Sequence, residues 1–270
     1  MIILEDYKVI FLKNPKCAGS SLHSTLDPIN SLSLENLKKD NRLDVLNMDA
    51  PTLEISSQYY GNITIPNFLR ERYANLQFAI DKNLMLSNID EYTVYVVIRD
   101  PIERFMSMCR YIRQHGRIIR EILFKEELDL VSTESDLLFP KSLRMFDRLS
   151  AFSNQFQERY KQITVQEIGE KTADLPMGTF IDKKPNFDLL RIPQNYYFSD
   201  ARVKTINYSN LNQEYAAIVD KHSIPAQYRN LSARNISTKL ESDVLSQDLI
   251  DKIKLIYAED VAFYTSLNQV

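Results

Sequence analysis

VIFLKNPKCAGSSL, residues 9–22, joins two kinds of pattern within a few residues. The apolar run Tyr7 to Leu12 is of the buried-strand type, and it stops at Asn14-Pro15. From Gly19 or Ser20 onward, GSSLHSTL suits a helix with hydroxyls near its first turn. A buried strand that turns into a helix through small residues leaves several backbone N–H groups pointing outward. Together with the helix dipole, these groups form a cradle for an anion. Lys16 sits inside that turn, within reach of a phosphate or a leaving oxygen, while Ser20 and Ser21 add hydroxyl donors. A capped helix with a surface lysine fits the same residues, so this segment alone leaves both readings open.

Working outward, Tyr92 to Ile98 (YTVYVVI) is the strongest strand signal in the chain, β-branched and apolar without a breaker. Arg99-Asp100-Pro101 ends it, and Pro101 fits the first position of a helix running to about His115. In an open α/β sheet ligands bind at the carboxyl ends of the strands, where Arg99 falls. Its guanidinium suits a phosphate, and Ser107 on the following helix adds a donor. An Arg–Asp pair at a strand end, with a helix-buried serine, is the plain alternative. Val203 to Tyr208 is a third strand, followed by a helix over Leu211 to His222. Helices are also expected over Leu34 to Leu46, Pro66 to Leu76, Arg117 to Leu130, Ser142 to Tyr160 and Asp248 to Leu267. Residues 174 to 198 read as a long excursion with little regular structure. Strands alternating with helices predict an α/β fold: a P-loop-like single domain over residues 1–270, with a central, largely parallel sheet flanked by helices.

Composition narrows the function. The 270 residues hold 33 Lys plus Arg against 36 Asp plus Glu, a formal net charge of −3, which argues against a general nucleic-acid binder. The 2 cysteines, Cys17 and Cys109, cannot build a disulfide framework or a four-thiolate zinc site, and reduced thiols suit a cytoplasmic protein. No stretch approaches the ~18 consecutive apolar residues of a membrane span. MIILEDYKVIFLKNPK has no signal-peptide pattern and begins almost directly with a strand. Glycine occurs only 5 times, at offsets that exclude both a GxGxxG fingerprint and a GxxxxGK[ST] loop.

Taken together, NPKCAGSSL and VIRDPIERFMS resemble the two cofactor-binding signatures of the sulfotransferase superfamily. The resemblance is closest to its carbohydrate branch, which includes the heparan sulfate 2-O-sulfotransferases. PQNYYF at 193–198, LSARNIS at 231–237 and YAEDVAFY at 257–264 look like weaker family features. The resemblance implies the donor 3′-phosphoadenosine 5′-phosphosulfate (PAPS), released as 3′-phosphoadenosine 5′-phosphate, and no metal. It implies in-line transfer of the sulfuryl group to a hydroxyl or amine of a glycan or similar acceptor. By position, Lys16 holds the bridging oxygen, and the Cys17, Ala18, Gly19, Ser20 and Ser21 segment binds the 5′-phosphate. Arg99 and Ser107 bind the 3′-phosphate. Cys17 stands where threonine is commoner and Ala18 where glycine is often found; both are small, so the backbone cradle survives.

The general base is not singled out by a motif. Among the 3 histidines, His115 follows Ser107 and Tyr111 along one helix face and is the first candidate. His23 lies about one turn after the loop and is expected to face the core. His222 ends a helix, where a cation suits the dipole. A glutamate such as Glu71 is a further alternative. Arg104 is expected to make local salt bridges. Arg110, Arg113, Arg117 and Arg120 suit either an anionic polysaccharide or a solvated helix face. Two other functions fit parts of the pattern. One is an ATP-dependent phosphoryl transferase, which the missing GK[ST] loop opposes; the other is a non-catalytic nucleotide- or glycan-binding protein.

Overall fold

The computed structural model describes residues 1–39, 53–57, 61–65, 89–115, 163–175, 189–232 and 239–267. The chain divides into two compact units. One comprises Met1–Arg104, Pro176–Ile236 and Lys254–Val270; the other comprises Phe105–Leu175 and Ser237–Ile253.

The first unit is built on a sheet. β1 (Ile2–Leu4) turns back through a 3-10 turn at Glu5–Tyr7 into β2 (Val9–Leu12). The expected strand starts two residues late because Lys8 adopts a left-handed conformation, φ 50°, to close that turn. Helix α1 (Gly19–Lys39) follows, then a hairpin of β3 (Leu53–Ser57) and β4 (Gly61–Ile65), and β5 (Thr93–Ile98). Helix α2 (Pro101–His115) leaves the end of β5 with its first turn in this unit. The central sheet has the order β1-β2-β5-β6, where β6 is Val203–Asn207. β1 is antiparallel to β2, whereas β2, β5 and β6 run parallel, with Val9 opposite Thr93 and Ile98 opposite Asn207.

β2 and β5 are apolar on both faces because helices cover a parallel sheet. One buried cluster joins Phe11, Tyr95 and Val97 of the sheet to Leu22 and Leu26 of α1 and to Tyr215 and Val219 of a later helix. The edge strand β1 does not expose its amides. Ile3 N–H donates to Asn30 Oδ1 at 2.8 Å and Glu5 N–H to Ser33 Oγ at 3.1 Å, both on α1. One helix thus runs through Pro28 as far as Lys39, where the sequence predicts a separate helix from Leu34.

The second unit holds α3 (Val165–Asp174), which the sequence reading left unassigned although its capping box is complete. Thr164 Oγ1 accepts from Glu167 N–H, and the Glu167 carboxylate accepts from Thr164 N–H. Gly169 allows a close approach here: a Cβ on it would come within 2.9 Å of Leu249 Cδ2 and 3.2 Å of Phe105 Cε1.

The excursion at 174–198 contains more regular structure than expected, namely a 3-10 turn at Leu189–Arg191 and the short helix α4 (Asn195–Phe198). α5 (Leu211–Lys221) follows β6 as anticipated. The expected closing helix is two helices, α6 (Gln247–Ile256) and α7 (Ala258–Leu267), broken at the buried Tyr257. Ile253 and Tyr257 are buried, whereas Val261 and Tyr264 are only half-buried. The helices expected at Pro66 to Leu76, Arg117 to Leu130 and Ser142 to Tyr160 lie outside the described residues. No described helix is long and apolar enough to cross a membrane.

Candidate functional site

The parallel strands β2, β5 and β6 bring three loops to their carboxyl edge: Lys13–Ala18, Arg99–Asp100 and Tyr208. In the first, Asn14 is buried and its Nδ2 donates to Val97 O at 3.0 Å, which ties the loop to β5. Its carbonyl accepts from Cys17 N–H at 3.3 Å. Lys16 and Ala18, on either side of Cys17, have φ values of 65° and 59°. A left-handed conformation costs a non-glycine residue about 1–2 kcal/mol, and such strain persists where the surroundings enforce it. The first α-helical bond of α1 runs from Leu22 N–H to Ala18 O at 3.0 Å. The N–H groups of Gly19, Ser20 and Ser21 therefore precede the helical ladder and carry the positive end of its dipole. Lys16, Ala18, Gly19, Ser20 and Ser21 are all half-buried, so the cradle the sequence predicts has an accessible mouth.

Arg99 is held over this loop. Its guanidinium lies 4.3 Å from the centroid of the Tyr208 ring, Nη1 donates to Lys16 O at 3.4 Å, and Nη2 meets Glu103 Oε2 at 3.3 Å. Its Nε is buried without a partner among the described residues. Asp100 caps α2 by accepting from Glu103 N–H at 2.9 Å, which sets the direction in which the helix departs. Among the described residues Arg104 makes backbone contacts in place of the expected salt bridge. It is buried and donates to Pro15 O at 3.0 Å and Ile192 O at 2.7 Å, satisfying carbonyls of two irregular segments.

Two further residues complete the frame, and the motif reading assigned neither a role. Gln194 Oε1 accepts from Arg99 N–H, Asn14 Nδ2 and Cys17 Sγ, and Gln194 Nε2 donates to Arg99 O. Asp260, buried at the start of α7, accepts from the backbone N–H groups of Gln194 (2.7 Å) and Asn195 (2.8 Å). The only advance signal was their membership in PQNYYF and YAEDVAFY. Burial pushes the Asp260 carboxyl above the usual carboxylate range, and nearby Arg104 and the two N–H donors oppose that shift.

The electrostatics favour an anion. Burial, reinforced by the neighbouring Arg99 charge, lowers the Lys16 ammonium to about 8. The neighbouring Cys17 opposes that shift. Burial pushes the Cys17 thiol up to about 11, so at neutral pH it is a neutral S–H rather than a nucleophile.

Ser107 is buried on α2 in the second unit. The backbone of His115 ends α2, and its side chain lies outside the described residues, as do Glu71, Arg117, Arg120, Asn235 and Ser237. His23 faces outward rather than into the core, with Nε2 3.7 Å from Asp27 Oδ1. His222 is not the dipole-stabilised cation expected. Its Nε2 lies 3.0 Å from Tyr95 Oη, and burial lowers its pKa against the opposing Tyr7 backbone. Arg110 and Arg113 are neither solvated nor open to a polymer; both are buried against Asp243.

The model of the sulfotransferase family matches residues 1–265 of the chain. No curated protein and no solved structure matches it.

Proposed function

The chain belongs to the sulfotransferase family, and on that premise we propose that it moves a sulfuryl group from PAPS to a hydroxyl or amine of a glycan or similar acceptor. The observation that carries the donor assignment is the convergence of Lys16 and Arg99 at the mouth of the loop, with Arg99 Nε buried and unpartnered among the described residues. Such a donor set fits a phosphate-bearing ligand, because two neighbouring cations, one of which disfavours the other's charge, are stabilised when an anion joins them.

The bound donor supplies the sulfuryl group and a phosphate leaving group. Lys16 would hold the bridging oxygen, where negative charge grows as the sulfur–oxygen bond breaks. A fixed cation at that point stabilises the transition state more than the ground state. The N–H groups of Ala18 to Ser21 and the Ser20 and Ser21 hydroxyls would bind the 5′-phosphate. Arg99 would bind the 3′-phosphate through its planar fork, already oriented by the Tyr208 ring. For the base we propose His115, on its place in the sequence, with His23 as the alternative. The scheme calls for no metal. A cytoplasmic setting belongs to the same proposal and is supported by the two buried, free cysteines.

The test is thermal stability with and without 3′-phosphoadenosine 5′-phosphate, with ATP in parallel, on wild type and Arg99→Ala. At ~100 times its dissociation constant the ligand adds about 2.7 kcal/mol of apparent stability. The expected result is a shift with the bisphosphate that Arg99→Ala weakens at the same concentration. A shift with ATP alone, or with neither, removes the donor assignment.

A further inference from the structure

β5 ends its pairing with β6 at Ile98, opposite Asn207. Arg99 is the next residue and lies beyond the ladder, yet both of its backbone groups are paired with one side chain. Its N–H donates to Gln194 Oε1 at 2.9 Å, and its carbonyl accepts from Gln194 Nε2 at 2.7 Å. This two-point exchange is the pattern one strand residue makes with its neighbour in an antiparallel ladder. The same Oε1 accepts from Asn14 Nδ2 at 3.2 Å and from Cys17 Sγ at 3.3 Å. The amide orientation follows from chemistry, since a flipped NH₂ would face the Arg99 and Asn14 donors and leave the Arg99 carbonyl opposite an oxygen. Gln194 is buried, and the Asp260 carboxylate holds it from behind through the N–H groups of residues 194 and 195.

We propose that Gln194 is a positioning residue of the donor site, fixing the Arg99 backbone against the Lys16 loop so that the guanidinium is aimed at the bisphosphate the loop binds. The inference rests on the donor assignment above. In this proposal Gln194 acts through Arg99, whose backbone N–H and carbonyl it pairs. Without the clamp, Arg99 is a residue past a strand end whose guanidinium rides on a free backbone, and binding must then supply the ordering.

A double-mutant cycle on affinity for 3′-phosphoadenosine 5′-phosphate, measured by calorimetry on the full chain, distinguishes positioning from general support. Gln194→Met keeps the volume and removes all four polar contacts. It is expected to weaken binding about tenfold in wild type and less than about twofold in the Arg99→Ala background. An equal effect in both backgrounds overturns the proposal. Gln194→Glu supplies a second reading should the methionine variant fail to fold. Its carboxylate retains the acceptor side but cannot donate to the Arg99 carbonyl until it is protonated. Its affinity relative to wild type is expected to recover as pH falls from 7.5 to 5.5, and a constant ratio overturns the proposal. Wild type that binds no bisphosphate overturns the donor assignment and this inference with it. Wild-type binding that Gln194→Met leaves unchanged overturns this inference alone.

Discussion

Each unit of the chain holds a pair of cations, and the two pairs are treated in opposite ways. In the second unit Arg110 and Arg113 converge on one carboxylate: Asp243 accepts from Arg110 Nε at 2.8 Å and from Arg113 Nη1 at 2.5 Å. It also accepts from Leu240 N–H at 3.1 Å. Burial works against the Asp243 charge, but Arg113 and Arg110 together hold its carboxyl below the usual range. In the first unit Lys16 and Arg99 are neighbouring cations that disfavour each other's charge, and the carboxylate that meets Arg99 Nη2 at 3.3 Å, Glu103, is exposed rather than buried between them. The charge that is compensated inside the fold is a structural staple. The pair at the loop is the one for which we propose an anionic ligand.

This contrast breaks most visibly at Asp243. Asp243→Ala leaves two buried guanidinium groups without their common acceptor and is expected to cost about 3–5 kcal/mol of stability. Denaturant unfolding checks this, and a loss under ~1 kcal/mol would show that the staple contributes little. Removal of the Lys16 charge is expected to leave stability intact, because that ammonium is already disfavoured in the folded state.

The pH dependence of ligand binding sharpens the other side. Burial and Arg99 lower Lys16 to about 8 in the free protein. An anion that binds beside it favours the protonated form and raises that value. Affinity for 3′-phosphoadenosine 5′-phosphate is therefore level below about 8 and falls as pH rises, by up to about tenfold per unit. Titration calorimetry from pH 7 to 9.5 follows it, and Lys16→Met is expected to give weaker binding with the slope removed. A wild-type affinity that does not change across this range would take Lys16 out of the donor site.

The smallest effect concerns the backbone that carries these charges. Ala18 stands at φ 59°, where glycine suffers no Cβ clash. Ala18→Gly is expected to raise stability by about 0.5–1 kcal/mol with bisphosphate affinity retained. A lower melting temperature would mean that the alanine methyl makes a packing contribution larger than the strain it imposes.

The strands and helix starts that place the site were legible because their signals are contiguous. VIFL and TVYVVI are uninterrupted apolar runs, Pro101 opens α2, and Gly19 opens α1. What escaped was either short or set by partners far along the chain. The β3–β4 hairpin pairs LEISS with GNITI, two five-residue strands with little apolar content to mark them. The break at Tyr257 divides a stretch whose local pattern reads as continuous, and it places Asp260 at the start of a new helix beneath Gln194.

The family, the parallel strands and the turns that carry Lys16 and Arg99 were readable in the chain alone, because apolar runs and strand-to-helix turns are local patterns. Which arginines are compensated was decided by tertiary structure alone. Arg99, Arg104, Arg110 and Arg113 all lie within one segment, and nothing in their spacing separates them. Arg99 meets the neighbouring Glu103, whereas the carbonyls of Pro15 and Ile192 reach Arg104, and Asp243 reaches Arg110 and Arg113, from other parts of the chain. A cation's role depends on the dielectric and the counter-charge around it, and both are set by chain segments that the local sequence does not contain.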